Sequence, residues 1–176
     1  YYDQYTANSH RGDYQISNIV DNLYEDTRKK VQKFINAKEF SEIVFTSGTT
    51  NGSNMLVNGY FRDYLKKDDE VLITYSEHAS NIVPWFILQK EIGIKVKYIK
   101  LDEDYKVTIE NVKEAITPKT KVISLAMITN VVGGLRPIKE ISKIAHDNNI
   151  LLVVDAAQGI AHTKIDVQDM DIDFMA

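Results

Sequence analysis

Apolar residues recur at helical spacing from Ile16 to Ile35, through Ile19, Val20, Leu23, Tyr24, Val31 and Phe34, which predicts a long amphipathic helix capped by Ser17 or Asn18. The period then changes. Glu42-Ile43-Val44-Phe45-Thr46 is a short β-rich run that stops at Ser47-Gly48-Thr49-Thr50, and a second helical pattern follows with Met55, Leu56, Val57, Tyr60, Phe61 and Tyr64. Beyond it the two patterns alternate: strand Glu70 to Thr74, helix Ile82 to Glu91, strand Lys95 to Ile99, helix Ile109 to Ala115, strand Val122 to Ile128, helix Ile138 to Asn148, strand Ile150 to Asp155. The closing residues, Asp171 to Ala176, read as a strand still in progress, so the chain is expected to be a fragment. Runs such as Ile150-Leu151-Leu152-Val153-Val154 are apolar on both faces, as strands are when helices cover both sides of a sheet. The expected fold class is therefore α/β, with a mostly parallel sheet flanked by helices. No repeat, low-complexity tract or Gly/Ser/Pro-rich linker divides the chain.

In an open α/β sheet, ligands bind beyond the carboxyl ends of the strands, so the polar residues directly after each apolar run are the candidates. Gly48-Thr49-Thr50 joins a strand pattern to a helix start, where free N–H groups and the dipole favour a phosphate; capping of the helix by Thr49 or Thr50 is the plainer alternative. His78 follows the second strand and can serve as base, ligand or stacking platform, or simply be a surface histidine. Asn130, followed by Gly133-Gly134, can offer an amide to a ligand or shape a turn. Asp155 ends the most apolar strand, with Gln158 three residues on, and its carboxylate suits a protonated ring nitrogen or a metal. An apolar run ending in aspartate also resembles a Walker B segment, but neither Gly-x-x-x-x-Gly-Lys-Ser/Thr nor Gly-x-Gly-x-x-Gly occurs, which disfavours nucleotide binding. His146 falls near a helix C-terminus, where a solvated or dipole-favoured role is expected. His10 and His162 are placed near the cleft as alternatives, and the histidine spacing suggests no zinc motif.

Composition narrows the partners. The 176 residues carry 21 basic and 25 acidic side chains, net charge -4, interspersed along the chain, so neither a nucleic-acid footprint nor a basic membrane helix is expected. There is no cysteine, hence no disulfide or thiolate metal site in this segment, which is compatible with the expected cytoplasmic location. No apolar run approaches the ~20 residues that span a bilayer. The opening Tyr1-Tyr2-Asp3-Gln4-Tyr5 carries no targeting pattern.

Taken in order, Ala7-Asn8-Ser9-His10-Arg11-Gly12, Phe45-Thr46-Ser47-Gly48-Thr49-Thr50, Glu77-His78-Ala79-Ser80-Asn81-Ile82-Val83-Pro84-Trp85, Thr129-Asn130-Val131-Val132-Gly133, Val153-Val154-Asp155-Ala156-Ala157-Gln158 and Asp166-Val167-Gln168 resemble the class V (fold type I) enzymes that use pyridoxal 5'-phosphate (PLP). The resemblance is greatest to the SUF-type cysteine desulfurases, or selenocysteine lyases, and Asn81-Ile82-Val83-Pro84-Trp85 points to that branch rather than the NifS/IscS-like one. It implies a PLP-dependent transferase-like large domain, of which residues 1–176 are a part, with the small C-terminal domain outside the chain. By resemblance, Thr49 and Thr50 hold the phosphate, His78 stacks on the pyridine face, Asp155 pairs with the ring nitrogen, Gln158 bonds the ring hydroxyl, Asn130 sits near that hydroxyl and the substrate carboxylate, and His10 is a substrate-side residue. The family's Schiff-base lysine, nucleophilic cysteine and carboxylate-binding arginine lie beyond Ala176, so the isolated segment is expected not to turn over. The implied reaction converts L-cysteine to L-alanine and leaves an enzyme persulfide that a sulfur-acceptor protein receives, in a homodimer serving iron–sulfur cluster assembly or related sulfur trafficking. The alternatives are another class V enzyme, such as an aminotransferase, an epimerase or a selenocysteine lyase, and a non-catalytic binding module with the same fold.

Overall fold

The computed structural model describes residues 3–10 and 12–176, so Tyr1, Tyr2 and the Arg11 of the His10-Arg11-Gly12 stretch lie outside the described residues. The chain forms two compact units, Tyr1–Phe45 with Asp166–Gln168, and Thr46–Ile165 with Asp169–Ala176.

In the first unit, helix α1 spans Gln15–Ile35 and buries Ser17, Val20 and Ile35, while Ile16, Leu23 and Phe34 stay exposed. Its N-cap is Tyr14 rather than Ser17 or Asn18. Ser17 is already in the helix, where its hydroxyl donates to the Asn8 carbonyl at 3.0 Å and ties down the preceding loop. Asn36 ends the helix at φ 55, a left-handed conformation that asparagine tolerates, and its amide donates to Asp166 at 2.9 Å. The expected strand at Ile43 to Thr46 does not form. A 3-10 turn at Phe40–Glu42 precedes it, only Ile43 is buried, and Val44 and Phe45 are exposed. β propensity without a neighbouring strand yields extended chain, not a ladder.

The second unit is built on a five-stranded sheet in the order β2-β1-β3-β4-β5, with every neighbouring pair parallel. The strands are β1 (Glu70–Ile73), β2 (Lys95–Tyr98), β3 (Thr120–Ala126), β4 (Leu151–Asp155) and β5 (Phe174–Met175). β1 is wholly buried and β4 nearly so, as their continuous apolar runs require, whereas β2, at the edge, alternates between exposed and half-buried. β3 stops at Ala126, two residues short of the expected end, because Ile128 instead bridges antiparallel to Leu135 and closes a loop over residues 129–134. Of the strand expected over Asp171 to Ala176 only Phe174–Met175 forms, pairing with β4 through Phe174 opposite Val153 and Met175 opposite Val154.

Helices connect the strands as the alternation predicts. Helix α2 (Thr49–Met55) continues through a π-helical turn (Leu56–Phe61) into α3 (Arg62–Tyr64). Helix α4 (Val83–Ile92) has Pro84 in its first turn and ends on Gly93 at φ 80. Thr108 caps α5 (Ile109–Ala115) by accepting the Asn111 N–H at 3.1 Å. Helix α6 (Ile138–Asp147) lies between β3 and β4, and α7 (Gly159–His162) follows β4. Phe61, Trp85, Leu88, Ile73 and Val122 form the centre of the core, all within 1% exposure.

His146, on α6, is engaged more closely than a helix-end histidine need be. Its Nδ1 lies 2.8 Å from Asp171 and its Nε2 2.9 Å from Asp173, an arrangement in which both ring nitrogens donate only when the imidazole is protonated. The hydrogen bond to Asp173, seconded by Asp171 against partial burial, raises its pKa above 6.5. A basic group raised on folding stabilises the fold fully below its unfolded value and loses that contribution as pH rises through the folded value. The melting temperature of the full-length protein should therefore exceed that of a His146→Gln variant most at about pH 6, with the gap narrowing toward about pH 9; a gap independent of pH would contradict this role.

Candidate active site

The strand order places a switch point between β1 and β3, from which successive connections run in opposite directions, and ligands bind at such points beyond the carboxyl ends of the strands. A cleft of about 670 Å³ opens there. Thr49, Thr50, His78, Asn130, Asp155 and Gln158 all line it, delivered from the ends of four different apolar runs. The volume is within the range of cofactor and small-ligand sites, roughly 300–1,000 Å³.

One wall is the start of α2. Thr46 Oγ1 donates to the Gly48 carbonyl at 3.0 Å and accepts the Gly48 N–H at 3.4 Å, which folds the turn locally. Gly48 is the N-cap, at φ 141, with nothing within 4 Å of where a Cβ would stand, and no side chain caps the helix. Neither Thr49 nor Thr50 is the cap that the plainer reading expected. Thr50 Oγ1 instead shares a hydrogen bond with Ser80 Oγ at 2.7 Å. The first N–H groups of α2, without intrahelical acceptors, and the threonine hydroxyl suit an anionic group such as a phosphate.

The second wall follows β1. His78 caps the 3-10 turn Ala79–Asn81: its Nδ1 accepts the Ser80 N–H at 3.2 Å and lies 2.9 Å from Ser80 Oγ. Because a backbone N–H can only donate, this bond fixes Nδ1 as the acceptor and puts the proton of the neutral ring on Nε2. Ser80 thereby joins His78 to Thr50.

The floor is the end of β4. Asp155 is 6% exposed, and its Oδ1 accepts the Ala157 N–H at 3.0 Å. Burial pushes the carboxyl above its usual range, opposed by the Ala157 bond; Glu77 adds to the rise, while His78 and Arg136 oppose it. A carboxyl held up by burial gains most from a cation brought against it. Asn130 lies exposed in the turn that closes with the Gly133 N–H on the Thr129 carbonyl at 3.1 Å, and Gln158 precedes α7; both stand at the rim. No group of three or more His, Cys, Asp or Glu among the described residues is arranged to hold a metal ion.

His10 belongs to the first unit. It sits at φ 57 with its ring nitrogens 3.7 Å from Asp21 and 3.9 Å from Glu25, and its ring edge meets Tyr24. His162 ends α7 and does not line the cleft.

Sequence reasoning missed the group behind His78. Glu77 and Arg136 form an ion pair whose side chains are 0% and 5% exposed. Arg136 also donates to the Ala126 carbonyl at 3.1 Å, Thr74 Oγ1 at 3.0 Å and Ser76 Oγ at 2.8 Å. Glu77 accepts the Ala126 N–H at 2.6 Å and the Asn81 amide at 2.9 Å. The only local hint is an arginine in an otherwise apolar, glycine-rich turn, Gly133-Gly134-Leu135-Arg136-Pro137.

Comparison with known proteins agrees with this architecture. The aminotransferase class-V family model matches residues 1–176. A probable cysteine desulfurase of Halalkalibacterium halodurans is 40% identical over 176 residues, covering 100% of this chain and 43% of the relative. The apo structure of a cysteine desulfurase from Thermococcus onnurineus NA1 superposes with a TM-score of 0.93 at 33% identity, covering 99% of this chain and 43% of that one. SspA, solved in complex with cysteine, superposes at 0.88 with 27% identity, covering 98% and 49%. The chain thus spans less than half the length of these relatives, and among its described residues no helix is long and apolar enough to cross a membrane. The match along its whole length makes the chain a member of the aminotransferase class-V family.

Proposed function

We propose that this chain is part of the large cofactor-binding domain of a PLP-dependent cysteine desulfurase, a homodimeric cytoplasmic enzyme that passes sulfur from L-cysteine or selenium from selenocysteine to an acceptor protein, for iron–sulfur cluster assembly or related sulfur trafficking. The observation that carries the reading is the convergence of Thr49, Thr50, His78, Asn130, Asp155 and Gln158 on one cleft at the switch point. The cleft fits PLP on its own chemistry: an uncapped helix start beside an open glycine for the phosphate, and a buried carboxylate for the ring nitrogen.

In this reading Thr50 and the first N–H groups of α2 bind the phosphate, and the Ser80 bridge keeps Thr50 in register with His78. His78 presents its ring face, oriented through Nδ1. Asp155 keeps the ring nitrogen protonated, while Gln158 and Asn130 orient the ring hydroxyl and the substrate carboxylate, and His10 stands on the substrate side. When bound, PLP supplies the electron sink that makes removal of the substrate's α-proton accessible.

The test is the visible spectrum of the full-length protein purified with PLP, before and after borohydride, followed by an assay of alanine formed from cysteine. A visible band that borohydride abolishes, together with alanine release, is expected. A band without alanine would move the assignment to another class V reaction, and no band would leave a non-catalytic module.

A further inference from the structure

We propose that the buried Glu77–Arg136 pair is a positioning element of the cleft: it anchors the His78 segment to β3 and balances the charge felt by Asp155. The inference rests on the PLP reading and assigns it a control that the cofactor-contacting residues do not contain.

Three observations carry it. The first is placement. Glu77 directly precedes His78, and its carboxylate grips the Ala126 N–H, while Arg136 grips the Ala126 carbonyl. Ala126 is opposite Asp155 in the β3–β4 ladder and itself lines the cleft. The pair thus holds one residue of β3 by both of its backbone polar groups; Glu77 adjoins the residue proposed to face the ring, and Ala126 is one strand from the carboxylate proposed to hold its nitrogen.

The second is reach. Through Asn81, whose side chain links Glu77 to Ser124 at 2.9 and 2.6 Å, and through Thr74 and Ser76 on Arg136, the pair fixes both ends of the segment that carries His78 and Ser80. Stability alone does not account for such an arrangement, since a buried ion pair is commonly matched or bettered by apolar residues of similar volume.

The third is charge. Glu77, His78 and Arg136 are the charged and titratable groups that act on Asp155; Glu77 disfavours its ionisation, and the other two favour it. The pair is neutral as a whole, so removing one member alone leaves a net charge beside Asp155.

The test uses the full-length holoenzyme and reads PLP retention, by visible absorbance after gel filtration, as a function of pH, with the dissociation constant for PLP at neutral pH and the melting temperature of the apoprotein alongside. Glu77→Gln strands the Arg136 cation near Asp155, so half-release of PLP on acidification is expected at lower pH than in the wild type. The double variant Glu77→Gln/Arg136→Met has no stranded charge, so its midpoint should return to the wild-type value while its dissociation constant rises several-fold from loss of the anchor. Wild-type midpoint and affinity in both variants, even with a lower melting temperature, would reduce the pair to a structural element. If Glu77→Gln does not fold, the affinity of the double variant decides. Failure of the wild type to bind PLP in the same assay would overturn the cofactor reading instead, so the two failures are distinguishable.

Discussion

Replacing Asp155 with asparagine in the full-length protein is expected to weaken PLP binding by roughly 10²–10⁴-fold, since breaking a desolvated charge pair by removing one partner costs about 3–5 kcal/mol. Asparagine keeps the volume, and its carbonyl can still accept the Ala157 N–H, so the substitution isolates the charge. The same change should not destabilise the apoprotein. Burial raises the Asp155 carboxyl on folding, so the folded chain binds that proton more tightly than the unfolded one. Stability linked to it is present in full below the unfolded value of 3.8 and falls as pH rises through the raised folded value, which means that at neutral pH the ionised carboxylate is a burden on the empty cleft. The apo form of Asp155→Asn should melt at the same temperature as the wild type or higher while losing its cofactor. PLP titrations and apo melting curves at neutral pH check the pair of outcomes; a large drop in apo melting temperature would mean that the carboxylate holds the fold rather than the ligand. Such opposition between stability and binding is common where a site is built for a charge it does not itself contain.

How much of this was legible in the sequence depends on the range of the interaction. β1, β4 and α5 announce themselves through local pattern: continuous apolar runs for the buried strands and the helical pattern over Ile109 to Ala115 for α5. The cleft was legible for a related reason. A parallel sheet exposes the residue after each strand at one edge, so the polar residues that interrupt apolar runs converge whatever their separation along the chain. Propensity misled at Ile43 to Thr46, where a β-rich run finds no partner strand and its exposed Val44 and Phe45 run as extended chain. Long-range polar pairing was invisible. Arg136 meets Glu77 across 59 residues and Thr74 across 62, and beyond the apolar, glycine-rich turn around Arg136 nothing in a window of either segment points to the partner. His146 shows the same limit: its position near a helix end was plain, but the carboxylates that bind it stand 25 and 27 residues downstream.

The fold-side counterpart of Asp155 is Phe61, whose replacement by alanine is expected to cost about 3–5 kcal/mol of unfolding free energy, while Phe61→Leu should cost about 1–2 kcal/mol. Phe61 is fully buried and closes the π-helical turn Leu56–Phe61. The ring meets Trp85 of α4 at 5.1 Å and Phe174 of β5 at 5.4 Å, with the ring planes inclined at 61° and 67°, a tilted edge-to-face geometry of the kind aromatic pairs favour. The wider π turn sets Tyr60 beside it against the same Phe174, at 5.0 Å, so one helical segment holds both the adjoining helix and the last strand. Truncation to alanine opens a cavity beside Trp85, 1% exposed in the same buried cluster, where neighbours anchored in strands and helices have little room to collapse. Urea unfolding of the full-length protein, followed by circular dichroism, measures the loss. Because the turn continues directly from α2, whose first residues are Thr49 and Thr50, the same variant should also weaken PLP binding under conditions where it remains folded. A variant destabilised as expected but with unchanged affinity for PLP would show that the start of α2 is held by its local turn at Thr46 and Gly48 and by Ser80, independently of the aromatic core.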